Sequence, residues 1–193
     1  MPLLRSAGWI VCLIYSTIPL FWILIHSRVR FWRSRRYSPY FILLPVWIGM
    51  WCAMAILTWP WRGVLLYSTP WTWLPAAALF AEGFWVYRLA ARNFSGRQLG
   101  GVPEMSSSPQ ALVISGIRAR VRHPVYLGHL CELFAWSLGT GLAVTYGLTA
   151  FAMVTGFLMI HLEEKELEQR FGDAYRAYRQ QVPALIPTWR ASA

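Results

Sequence analysis

Two short polar stretches hold most of the side chains in this sequence that could do chemistry: Arg122-His123-Pro124-Val125-Tyr126-Leu127-Gly128 and His161-Leu162-Glu163-Glu164-Lys165-Glu166-Leu167. The first supplies a fixed positive charge, an imidazole and a phenol. The second supplies two adjacent carboxylates. Between them, Leu130 to Met159 contain no lysine or arginine and one acid, Glu132. Such a run is too long for one membrane crossing and, with the residues that flank it, suits two of roughly 17 to 20 residues each, with a tight turn near Gly139 to Thr145. A helical hairpin returns the chain to the surface it left, so both polar stretches are expected side by side at one water–lipid boundary. A further set lies on the first arm of that hairpin. Tyr126, His129, Glu132 and Trp136 recur at steps of three and four and share a helix face. Ionisable groups inside spanning helices are costly and mark functional sites, which makes Glu132, with His129 one turn away, and Glu82 further candidates. Mutual satisfaction is the other reading: Glu132 by His129, and Glu82 by an arginine such as Arg88.

The elements that must position these groups follow from composition and hydropathy. The chain has 193 residues, 56% of them hydrophobic and only 13% charged. A soluble domain of this size does not need so much apolar surface, so one all-α integral membrane domain is expected. Apolar runs at Ala7 to His26, Tyr40 to Trp59 and about Leu74 to Leu89 give three spans before the hairpin, about five in all. Residues 1–92 then hold three N-terminal spans, and 93–193 a loop, the hairpin and a tail that form the catalytic half. Pro60 and Pro70 bracket a short connection whose Trp59, Trp61, Trp71 and Trp73 read as an interfacial aromatic belt. Asn93 to Ser115, with Gly96, Gly100, Gly101, Pro103 and Pro109, reads as a loop. Its glycines make no dinucleotide fingerprint, because no strand precedes them. Gly139, Gly141, Gly147 and Gly156 would let helices of the hairpin approach closely. Cys12, Cys52 and Cys131 all lie in apolar runs, so neither a disulfide framework nor a metal-ligand spacing is visible, and no metal is expected.

A net charge of +10, with Arg28, Arg30, Arg33, Arg35 and Arg36 clustered, could suggest nucleic acid. Membrane topology accounts for it better, and no nucleic-acid partner is expected. With five spans, one side receives only Arg5 and Arg62, and the other receives the remaining 16 of the 18 basic residues. The positive-inside rule then places the N-terminus outside and both polar stretches and the C-terminus in the cytoplasm. From Ile160 the apolar residues Ile160, Leu167, Phe171, Ala174, Tyr178 and Val182 mark one face of an amphipathic helix continuing the last span into the cytoplasm. Glu163 and Glu164 fall where that stripe needs an apolar residue, whereas Glu166, Glu168 and Asp173 fall on the outer side. Carboxylates on a packed face need a cationic or hydrogen-bonding partner. An exposed run partnering Lys165 and Arg170 is the other reading.

Arg122-His123-Pro124-Val125-Tyr126-Leu127-Gly128 resembles the RHPxYxG motif of the membrane methyltransferases typified by isoprenylcysteine carboxyl methyltransferase and phospholipid methyltransferase. Leu112 to Arg118 is similar to that family's lead-in. Glu163-Glu164, Leu167, Phe171-Gly172, Tyr175, Tyr178, Val182-Pro183 and Pro187 resemble its C-terminal EExxL…FGxxYxxY…VP…P signature. The resemblance covers about Asn93 to Pro187. It implies S-adenosylmethionine as methyl donor, with Arg122, His123, Tyr126, Gly128, Glu163 and Glu164 forming its pocket. The prenylcysteine enzymes carry an arginine one turn or more before the glutamate pair, where this chain reads Leu158-Met159-Ile160-His161. That departure argues against a prenylcysteine carboxylate as acceptor.

The residue types suit such a donor. Arg122 and His123 could meet its carboxylate, and Glu163 or Glu164 its ammonium group or ribose hydroxyls. Pro124 suits the first turn of a helix, where no amide hydrogen bond is lost. Gly128 removes a side chain where the cofactor would approach. Transfer of the methyl to a neutral acceptor disperses the sulfonium charge, so a carboxylate on sulfur would favour the ground state over the transition state. The glutamates are therefore binding groups, and the protein's task is alignment and exclusion of water. A general base is needed only if the acceptor must lose a proton, and Glu132 or His129 could serve. The expected partners are the lipid bilayer and a lipophilic or small methyl acceptor. The competing readings are an NADPH-dependent reductase of the related sterol reductase type and a non-catalytic membrane binding protein with the same fold.

Overall fold

In the computed structural model, which describes residues 2–34, 38–92 and 111–187, the chain is built from helices. In order they are α1 (Pro2–His26), α2 (Val29–Arg33), α3 (Tyr40–Thr58), α4 (Trp73–Ala91), α5 (Pro124–Thr140), α6 (Ala143–Phe171) and α7 (Asp173–Gln181), with short 3₁₀ turns at Trp59–Trp61, Pro70–Thr72 and Gly116–Ala119. Three stretches, Pro2–His26, Tyr40–Trp61 and Ala143–Phe171, are long and apolar enough to cross a membrane. α4 and α5 coincide with the third and fourth apolar runs, and each carries a glutamate near mid-length, Glu82 and Glu132.

The hairpin of α5 and α6 forms because its turn is chemically specified. Gly141 adopts φ +65°, the left-handed conformation that ends a helix without a side-chain clash, and its N–H bonds to the Ser137 carbonyl at 3.0 Å. A side chain there would run into the Tyr67 carbonyl. The connection between α3 and α4 clasps this turn: Leu66 N–H donates to Gly141 O at 2.8 Å, and Ala143 N–H donates to Val64 O at 2.9 Å. Tyr67 adds a hydrogen bond from its hydroxyl to Leu138 O, 3.0 Å, and a 2.5 Å contact with the Tyr146 hydroxyl.

Around the hairpin, α1 lies along α6 and against α5, and α4 lies along α5. Cys12, Leu13, Leu133, Leu142, Leu148 and Ala152 form the buried centre. α3 packs chiefly on α1, through an apolar cluster of Phe21, Ile25 and Leu43 and through one shared hydroxyl. Thr17 Oγ1 donates to Ile14 O at 2.7 Å and accepts the indole N–H groups of Trp47 and Trp51, at 3.0 and 2.9 Å. That fully satisfies a polar group sealed between two apolar helices. The opposite face of α3, with Phe41, Ile56 and Leu57, stays exposed.

Of the glycines expected at close helix contacts, Gly156 receives the Tyr126 hydroxyl and Gly139 the Trp73 ring, while Gly147 faces open space. The tail departs from the expected single helix. α6 ends at Phe171, Gly172 takes φ +56°, and α7 starts anew at Asp173. The break resets the helical phase, so Ala174 is exposed and Tyr175, with Tyr178 and Val182, is buried instead. The arginine-rich link after α1 contains the short helix α2; Arg35 and Arg36 lie outside the described residues, as do residues 93–110 of the expected loop.

Candidate functional site

α5 begins at Pro124, which leaves His123 as its non-helical N-cap. The residues before it run beside the tail. Arg122 N–H donates to Pro183 O at 2.9 Å, and His123 N–H donates to Ala184 O at 3.0 Å. This two-bond pairing turns the Arg122 and His123 side chains toward the end of α6, where Glu163 and Glu164 stand.

Glu164 is the hub of the resulting cluster. Its Oε1 accepts Nε and Nη2 of Arg122 at 2.8 and 2.5 Å and lies 3.2 Å from His123 Nε2. Its Oε2 lies 3.4 Å from Nε of Arg179 on α7. Arg122 Nη1 donates to the carbonyls of Arg179, at 3.1 Å, and Val182. Nearly every donor of this guanidinium is thus spent inside the protein. Glu163 Oε2 is 3.2 Å from His123 Nδ1, so the imidazole bridges the two carboxylates. Arg122, His123 and Glu164 are buried, while the Glu163 side chain keeps 23% exposure. Burial by itself would push the His123 imidazole down; the Glu163 and Glu164 carboxylates outweigh it and hold it at about 9. At neutral pH it is an imidazolium with both N–H groups directed at glutamates.

A second layer comes from the N-terminal half. His26, at the end of α1, places Nδ1 3.6 Å from Glu166 Oε2 and stacks on Trp22 with ring centroids 5.5 Å apart. Glu166 also lies 3.7 Å from Arg170 Nη1. Its side chain is only 12% exposed, which corrects the expected outer-face position: α1 covers that side of α6. Glu168 and Asp173 do face outward, against Arg176. Tyr175 is a further site residue that motif spacing alone did not single out. Its hydroxyl is buried beside Glu164 and Arg122 and has no hydrogen-bond partner among the described residues. Its place in the FGxxYxxY run was the available signal; for His26 there was none.

The other expected site residues are distributed differently. The Tyr126 hydroxyl donates to Ala152 O, turning the ring into α6. The space over Gly128 is filled by the Tyr87 ring. His129 Nδ1 lies 2.7 Å from Val125 O, and its ring sits between Tyr15 and Tyr87, 5.0 and 5.5 Å away. Glu132 lies beside Tyr15 of α1. No hydrogen bond joins Glu132 to His129 and no ion pair joins Glu82 to Arg88; the Arg88 guanidinium instead lies 5.9 Å from the Phe84 ring centroid. The structure therefore gathers Arg122, His123, Glu163 and Glu164 at one point and sets His129 and Glu132 apart, against α1 and α4.

No family model and no solved structure matches the chain. Among curated proteins it is similar to methanethiol S-methyltransferase 1 of Bradyrhizobium diazoefficiens, 45% identical over 75 residues, 37% of this chain and 24% of that protein. It is 33% identical over 127 residues to protein-S-isoprenylcysteine O-methyltransferase of Mus musculus, 60% of this chain and 42% of that protein. It is also 32% identical over 139 residues to the delta(14)-sterol reductase of Mus musculus, 63% of this chain and 32% of that protein. In each comparison the match spans less than half the relative's own length. Matches to two differently named methyltransferases accord with the resemblance carried by the paired motifs: this chain is a homologue of the membrane methyltransferases typified by isoprenylcysteine carboxyl methyltransferase.

Proposed function

We propose that the chain is an S-adenosylmethionine-dependent methyltransferase of the membrane, acting on a lipophilic or small acceptor. The observation that carries this is the convergence of the two motifs: Arg122 and His123 meet Glu163 and Glu164 at one end of the α5–α6 hairpin. The residues present fit the donor, with a division of labour. Arg122 and Glu164, committed to each other, frame the site. Glu163, the more exposed carboxylate, is the group for the donor's ammonium or ribose hydroxyls, and the imidazolium of His123 beside it offsets a carboxylate. The Tyr175 hydroxyl, buried and unpartnered among the described residues, is one that a polar ligand would satisfy. The donor when bound supplies an electrophilic methyl group; the chain aligns it and excludes water. A thiol acceptor must lose a proton; Glu132 and His129, set back along α5 from the paired motifs, are the titratable groups of the hairpin that could take it if the acceptor reaches between α1, α4 and α5.

In this reading α4 and α5 are the third and fourth of five spans, the N-terminus is outside, and the C-terminus and the site are cytoplasmic. The distribution of basic residues supports that orientation.

Binding separates this function from its rivals. Purified protein in detergent should gain thermal stability from S-adenosylmethionine or its demethylated product, by about 2.7 kcal/mol at a hundred times the Kd. The similarity to a sterol reductase makes NADPH the second ligand to try. Stabilisation by NADPH alone selects the reductase reading, and stabilisation by neither ligand, with the protein folded, selects a non-catalytic binding protein.

A further inference from the structure

A groove of about 410 Å³ runs beside α4, outside the cluster of paired charges. Trp85 and Leu89 of α4, Ile117 of the turn before α5, and Leu127 of α5 give it an apolar wall. Gly83 lies against Cys131 and Tyr87 against Gly128, an antiparallel register that brings the end of α4 opposite the segment leading into α5. Arg92 and Arg120 therefore line the same end of the groove. Glu82, ten residues before Arg92, lines the wall about 15 Å further along the helix. Arg120 and Val121 face the groove, whereas Arg122 and His123 face the glutamates, so one stretch of backbone separates the two sites.

We infer that this groove holds the phosphate and the first part of one acyl chain of an anionic phospholipid, drawn from the leaflet at the motif end. Neither Arg92 nor Arg120 makes an ion pair with a described residue, and two cations at the end of an apolar trough match a phosphate with a chain attached. The volume is that of a small-molecule site, enough for a headgroup phosphate and part of a chain but not for a whole lipid. The rest of the lipid continues onto the outer face of α4, where Phe84 and Trp85 are 62% and 47% exposed. Both cations lie at the Arg92 and Arg120 end, and the Glu82 end offers none, which sets the end the phosphate takes. The inference needs α4 to lie in the membrane; it does not need the methyltransferase reading.

The test is native mass spectrometry of the full chain, delipidated in detergent and then offered phosphatidylglycerol or phosphatidylcholine of identical chains. Phosphatidylglycerol should be retained about tenfold better. The double variant Arg92→Gln/Arg120→Gln, which changes two exposed side chains, should erase that preference while keeping the wild-type melting temperature. Arg28→Gln/Arg30→Gln removes as much charge from the same end of the protein and should leave the preference intact. Equal retention of both lipids would overturn the inference. So would a preference that survives the groove variant, or one that the control variant abolishes equally. Inorganic phosphate offered alone that is retained by the wild type and lost from the groove variant, with phosphatidylglycerol not retained, would show that the arginines take a free anion, and would overturn the assignment to a lipid.

Discussion

Replacing Glu164 by glutamine keeps the shape of the side chain at the hub of the cluster and removes its charge. Arg122 then loses the anion that receives Nε and Nη2, and His123 loses one of its two carboxylates. Both cations are buried, and removing one member of a buried pair costs about 3–5 kcal/mol. The amide oxygen still accepts one hydrogen bond, and Arg179 is half exposed and can turn to water, so the low end, about 3 kcal/mol, is expected. Glu168 sits on the same helix with its side chain 34% exposed, opposite an Arg176 that is half exposed. Glu168→Gln should cost roughly 0–1 kcal/mol. At about 2–4 °C per kcal/mol for a chain of this length, the thermal midpoint in detergent should fall by about 6–12 °C for Glu164→Gln and by no more than about 4 °C for Glu168→Gln. Arg122→Gln on the Glu164→Gln background should add little, because the two groups share one interaction. Equal shifts for the two glutamates, or full additivity with Arg122→Gln, would refute the hub.

Glu163→Gln should behave differently from Glu164→Gln: a small loss of stability, but at least tenfold weaker binding of S-adenosylmethionine, read by titration well below either midpoint. His123 gives a pH signature. Its pKa is raised from 6.5 to about 9 in the folded protein, so its contribution is complete below pH 6.5, declines as pH rises, and is gone above about 9. The midpoint should therefore fall between pH 6.5 and 9 in the wild type and much less in His123→Gln; identical profiles would remove the imidazolium bridge. Gly156→Ala drives a methyl group into the Tyr126 hydroxyl and should cost about 1–3 kcal/mol, whereas Gly147→Ala meets nothing and should be neutral or stabilising by up to about 1 kcal/mol. A reporter fused after Ala193 should be cytoplasmic and one fused before Met1 outside; finding both on one side would remove the five-span arrangement.

The apolar runs, the hairpin turn and the pairing of motifs are legible in the sequence because each rests on a local rule. Hydropathy sets helix length, glycine ends α5 at Gly141, proline starts it at Pro124, and a hairpin must return to its own side of the membrane. Those rules are enough to bring Arg122 and His123 to Glu163 and Glu164. Helical periodicity does not survive Gly172, since a single residue at positive φ resets the phase and exchanges Ala174 for Tyr175 in the core. Nor can periodicity tell Glu163 from Glu164, because the hub is whichever carboxylate the backbone pairing of Arg122 and His123 with Pro183 and Ala184 happens to face. Glu166 reads as solvent-exposed along its own helix, yet α1 lays His26 over it; Gly128 reads as open approach, yet α4 fills it with Tyr87. Burial of a helix face is decided by the neighbour that packs on it, and that choice depends on contacts between residues far apart in the chain.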